Sequence, residues 1–247
     1  TVKANKRTFI FSKKDGQLKG VSVDNRKINF ANGPRFIGAR RADRSLDQFY
    51  NHDDEKAKEK DRTYSEFPDA AVFTKLDVKQ DGGDLIVTAN YKLGNLDKAQ
   101  WTINPSGDLA LDYTYNFSGV VDLMGIRFDY PEDQVISKRW LGAGPYRVWQ
   151  NRIHGTQYDV WENDYNDPIP GETFTYPEFK GYFGSVSWMN IRTKEGTISL
   201  TNETPDAYIG VYQPRDGRDR LLYTLPESGI SVLDVIPPVR NKVNSTD

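Results

Sequence analysis

Side chains suited to chemistry concentrate between Trp140 and Asn190. The stretch from Trp140 to Arg152 reads Trp-Leu-Gly-Ala-Gly-Pro-Tyr-Arg-Val-Trp-Gln-Asn-Arg, and Tyr158 to Tyr165 reads Tyr-Asp-Val-Trp-Glu-Asn-Asp-Tyr. Aromatic rings stack on the C–H faces of sugars, while Arg, Asn, Asp and Glu make directional hydrogen bonds to sugar hydroxyls. Tyr146, Trp149, Arg152, Trp161 and Tyr165 supply these types. Singly, each large aromatic reads more readily as a core anchor and Arg152 as a buried ion-pair partner, because large aromatics are usually buried. As a cluster they point to a carbohydrate-binding rim. Glu162, Asp164, Asp167, Glu172 and Glu178 also fall in this region. Paired carboxylates can run acid/base hydrolysis or hold Ca²⁺. The run Asp164-Tyr165-Asn166-Asp167-Pro168 lacks an EF-hand pattern, so these acids read as structural or solvated. No cofactor is expected, Ca²⁺ being the one ion considered, and no metal ligands are assigned.

These groups must be positioned by strands. Runs such as Thr8-Phe9-Ile10-Phe11, Leu85 to Ala89, Leu109 to Tyr115 and Gly196 to Leu200 alternate or cluster apolar β-formers,. Between such runs stand turn signals: Lys14-Asp15-Gly16, Asp81-Gly82-Gly83, Pro105-Ser106-Gly107 and Lys194-Glu195-Gly196,. No long stretch has helical spacing. The pattern therefore predicts an all-β protein, two large packed antiparallel sheets with little helix. One domain over residues 1–247 is expected, with the charged block at residues 52–62 an exposed loop. Gly142, Gly144 and Pro145 predict a shaped loop rather than a strand interior. Ile230 to Val235 reads as a last strand, after which Pro237 to Asp247 offers no further core.

Composition narrows the class further. The apolar share is only 37%, but 14 Tyr, 12 Phe and 5 Trp can carry a large core,. A net charge of -2 gives no field to draw nucleic acid or an anionic membrane,. Cysteine is absent, which removes disulfides and thiolate chemistry,. No apolar run approaches the roughly 20 residues of a membrane helix.

The stretch Trp140-Leu141-Gly142-Ala143-Gly144-Pro145 with Arg152, then Trp161-Glu162 and Tyr176-Pro177-Glu178-Phe179-Lys180-Gly181, resembles the C-terminal, small-chain domain of family 2 glycoside hydrolases of the β-galactosidase type. Phe11 to Leu18 and Gly33-Pro34-Arg35 resemble that domain's opening hairpin and following Gly-Pro turn. The resemblance implies a galactose-mutarotase-like supersandwich that is the C-terminal piece of a longer glycosidase, in a periplasmic or secreted bacterial setting. Where the family stretch carries Glu, Tyr and Asp, this chain has Arg147, Trp149 and Asn151, keeping Arg152. An arginine replacing an acid suits an acidic or differently decorated sugar. The expected carbohydrate contacts are therefore Tyr146, Arg147, Trp149, Asn151, Arg152, Trp161, Tyr165 and Glu178.

Hydrolysis in that family uses two carboxylates about 5 Å apart on a separate barrel. Alternating strands and helices, which a barrel requires, are missing here. No catalytic residue is therefore assigned, and the chain is read as an accessory domain without activity of its own. Its expected partners are carbohydrate and the catalytic barrel of the same polypeptide. Two alternatives stand beside this reading. An aldose 1-epimerase needs a general acid and base, typically His and Glu, but the only histidines are His52 and His154, and neither has the epimerase context,. The other is a scaffold sandwich whose edges pair with another domain.

Overall fold

The computed structural model describes residues 1–41, 64–165, 179–204, 206–212 and 225–239. Their first strands are β1 (Val2–Ala4), β2 (Arg7–Phe11), β3 (Leu18–Val23), β4 (Arg26–Ile28), β5 (Ala31–Arg41) and β6 (Tyr64–Glu66). Next come β7 (Val72–Asp81), β8 (Asp84–Lys92), β9 (Leu96–Ile103), β10 (Leu109–Tyr115), β11 (Leu123–Asp129) and β12 (Val135–Gly144). The last are β13 (Gln157–Asp164), β14 (Trp188–Thr193), β15 (Gly196–Thr201), β16 (Tyr208–Val211) and β17 (Ile230–Val235). A short 3-10 turn, Glu132–Gln134, precedes β12. The protein is all-β and antiparallel, as its alternating runs predict. No helix among the described residues is long and apolar enough to cross a membrane.

The chain divides into two compact units. Unit 1 comprises Thr1–Ile37, Pro68–Gly119 and Ile126–Tyr130. There the meander β10-β9-β8-β7 forms one sheet, and β1-β2-β3 continue into the first part of β5 and the last part of β11. Alternation decides what each face buries: Ala99, Trp101 and Ile103 of β9 are buried, as are Phe9 and Phe11 of β2,. Trp101 joins the two layers, 6.1 Å from Phe11 and 6.0 Å edge-on from Phe128. Beside Phe128, Gly33 of β5 is a strand residue and not the turn that its sequence suggests. A side chain there would come within 2.3 Å of the Phe128 ring, so glycine is required for close approach.

Unit 2 comprises Gly38–Phe67, Val120–Gly125 and Pro131–Asp247. One of its sheets has the order β13-β12-β14-β15, and the other combines β6 and the rest of β5 and β11 with β17 and β16. Gly125 again marks a tight approach, since an added Cβ would lie 2.1 Å from the Val232 carbonyl. Trp140, Phe183, Met189, Ile191, Ile209 and Leu233 make the core of this unit. The segment beyond β17 differs from the expectation of no further core. Ile236 and Val239 are 2% and 3% exposed, because the tail folds back on the loop described next. The charged block at 52–62 lies outside the described residues.

Candidate functional site

Strand β12 organises the region. Its backbone is paired on both sides, with β13 from Ser137↔Asp164 to Gly144↔Gln157 and with β14 through Leu141↔Trp188. The two glycines expected to shape a loop thus fall within β12, paired with β13, Gly144 as the last residue of the strand. The reason is packing from residues far along the chain. A Cβ at Gly144 would lie 2.4 Å from the Trp161 indole, and one at Gly142 would lie 3.0 Å from the Val186 Cα. Both indoles bond the stretch they cover: Trp161 Nε1 donates to the Gly142 carbonyl at 3.2 Å, and Trp140 Nε1 to that of Ala143 at 3.1 Å.

After a cis Gly144–Pro145 peptide the chain leaves the sheet and runs beside residues 179–183. Arg147 N–H donates to the Phe179 carbonyl at 3.2 Å, and Val148 exchanges two backbone bonds with Tyr182 at 2.7 and 2.8 Å. A Cβ at Gly181 would meet the Val148 carbonyl at 1.8 Å. Trp149 and Arg152 then close a tight turn through reciprocal backbone bonds of 3.4 and 2.8 Å.

The side chains on this loop divide into two sets. Arg147 and Trp149 point inward, 3% and 1% exposed. The Arg147 guanidinium lies 5.9 Å from the Phe183 ring centre, and Trp149 meets Tyr182 edge-on at 5.8 Å. Burial, with Tyr64 adding to it, holds the Tyr182 phenol above its ordinary pKa, so it stays neutral,. Asn151 spends both ends of its amide on one residue of the tail. Its Nδ2 donates to the Val239 carbonyl at 3.0 Å, and its Oδ1 accepts the Val239 N–H at 2.9 Å. A third bond joins Gln150 N–H to the Pro237 carbonyl at 3.1 Å. Facing outward are Arg152, which is exposed, and Tyr146, which is half-buried. The Tyr146 hydroxyl donates to the His154 carbonyl at 3.3 Å, and its ring lies edge-on to Phe179 at 4.9 Å.

Trp161 is half-buried on its glycines. Tyr165 is half-buried as well, donates to a Glu132 carboxylate oxygen and meets Tyr212 edge-on at 5.9 Å. Glu178 lies outside the described residues, together with Tyr176 and Pro177. So do Asn166, Asp167 and Pro168 of the run considered for Ca²⁺, and His52; no group of three or more acids and histidines suited to a metal occurs among the described residues.

The sequence reading overlooks Lys138. It is 1% exposed on the inner face of β12, with its Nζ 5.3 Å from the Tyr165 ring centre, 5.7 Å from that of Phe183 and 3.2 Å from the Asp164 carbonyl. Aromatic faces and a carbonyl compensate a buried ammonium for part of the water it loses. The signal was its spacing, two residues before Trp140 on the same strand, which puts both on one face. The Phe183 ring thus has cations of β12 and of the loop near it, an arrangement that fixes the inner wall of the loop.

A family model described as "Beta galactosidase small chain" matches residues 3–225. No curated protein matches the chain.

Proposed function

The chain belongs to the beta-galactosidase small-chain family, and from that premise we propose that it is the accessory, carbohydrate-contacting domain of a family 2 glycoside hydrolase whose catalytic carboxylates lie on a barrel domain of the same polypeptide. The match over residues 3–225 is the observation that carries this reading, since it spans nearly all of unit 1, most of unit 2 and the loop. In the proposal Tyr146, Arg152, Trp161 and Tyr165 offer rings and a guanidinium to the sugar. Arg147, Trp149 and Asn151 act from behind by holding the loop, and Glu178 is counted as a further sugar contact. Part-exposed rings held by β13 and by a loop bonded to residues 179–183 present a stacking surface at little entropic cost,.

The role of the domain is then to complete the lip of a neighbouring sugar site. Hydrolysis of a chromogenic β-galactoside by the chain alone and with a family 2 barrel tests it. No turnover by the chain alone, and a rise in kcat/KM when the barrel is supplied, are expected. Turnover by the chain alone overturns the accessory role. A barrel whose kinetics ignore the chain overturns the contact. Mutarotation of galactose, followed by polarimetry with the chain alone, is expected to proceed at the uncatalysed rate.

A further inference from the structure

The solvent face of the sheet β13-β12-β14-β15 carries a second, separate arrangement suited to sugar. Tyr158 is 58% exposed. Its Cα pairs with Ala143 on β12, yet its hydroxyl reaches across that strand to within 2.6 Å of the Ser187 hydroxyl. The ring is therefore laid across β12 above a small residue, tethered at its far end, with a face open to water. In the adjacent row Val160, Leu141 and Trp188 stand side by side on three strands. Val160 is 41% exposed and Leu141 and Trp188 are half-buried. Beyond it runs a polar row, Glu162, Arg139 and Asn190, in direct cross-strand register.

We propose that this face is a glycan-binding platform, with the rings of Tyr158 and Trp188 stacking on sugar C–H faces and Glu162, Arg139 and Asn190 bonding the hydroxyls. Two rows lie roughly 7 Å apart along the strands, and three strands span roughly 10 Å, dimensions of a short stretch of oligosaccharide. Complementarity of charge favours a neutral chain: Glu162 stands beside Arg139 and no single sign dominates the row,. A protein partner fits less well. The three rows together cover on the order of 150 Å² by strand spacing, against the roughly 800 Å² that each side of a stable interface buries. The proposal is independent of the loop reading, because it uses the opposite face of β12.

Affinity electrophoresis of the whole chain in gels carrying soluble β-galactan, xyloglucan or polygalacturonate tests it. Retardation by a neutral polysaccharide is expected, with about a tenfold weaker interaction in Tyr158→Ala and an unchanged melting temperature. Ser187→Ala, which frees the ring without removing it, should weaken binding about two- to threefold, and Tyr146→Ala should leave it unaffected. Absence of retardation in all three gels overturns the platform, and so does equal retardation of Tyr158→Ala. A Tyr158→Ala chain that keeps its glycan binding but no longer associates with a catalytic barrel reassigns the face to protein contact.

Discussion

A methyl group at Gly144 would occupy the space of the Trp161 indole, 2.4 Å away, and at this point one residue decides whether β12 can carry the loop. Gly144→Ala is expected to cost about 1–3 kcal/mol through overpacking, read as a lower urea midpoint with unchanged m-value. Asn151 matters in a different way. Its amide imitates a strand neighbour for Val239, so Asn151→Ala leaves a buried N–H and C=O unpaired, at about 1–3 kcal/mol for each group that water does not reach. The resulting exposure of the tail should appear as faster amide exchange at Val239. Lys138→Ala removes an ammonium and its stem from between two rings, and a loss of about 2–4 kcal/mol by chemical denaturation is expected.

The hairpin turn between β2 and β3 shows how local chemistry sets an element. Ser12 Oγ accepts the N–H groups of Lys14 and Asp15, Asp15 accepts that of Gln17, and Lys19 lies 3.0 Å from the Asp15 carboxylate. Burial alone would raise the Asp15 pKa, but the bonds from Lys19, Gln17 and Ser12 outweigh it and hold the carboxyl below its ordinary range. A depressed folded pKa means that the stabilisation is complete above the unfolded value near 4 and fades as pH falls through the lower folded one. Asp15→Asn should therefore lower the urea midpoint at pH 7 and the gap should narrow on acidification below about pH 4. The effect is small, because this pair is about one-third exposed and screened,.

The same turn explains what the sequence made legible at this scale. Period-two runs locate β10 and β17 to the residue, and Gly16, Gly82, Gly107 and Gly196 all take the positive φ that their turn signals imply,. Gly142, Gly144 and Gly33 look identical in the sequence but serve close approach inside strands. Only partners remote in the chain, Val186, Trp161 and Phe128, reveal this. Tail burial was hidden likewise: Pro237 and Pro238 mark the end of a strand, yet they say nothing of Asn151 waiting for Val239. For the candidate site, local composition identified the loop, whereas the inward turn of Arg147 and Trp149 depends on the segment 179–183 packing beside it.

Across the whole molecule, β5 and β11 each begin in one unit and end in the other. Because neither unit can lose β5 or β11 without the same strand being lost from the other, a single calorimetric transition with equal van't Hoff and calorimetric enthalpies is expected,. Two separable transitions would show that the units melt independently. The family assignment and the all-β fold agree at this scale.

The threading of β5 and β11 also has a genetic meaning. Each unit is assembled from three separate stretches of chain, so no contiguous piece of the gene encodes either one. Recombination cannot shuffle them as independent modules, and the pair must be inherited, duplicated or lost together.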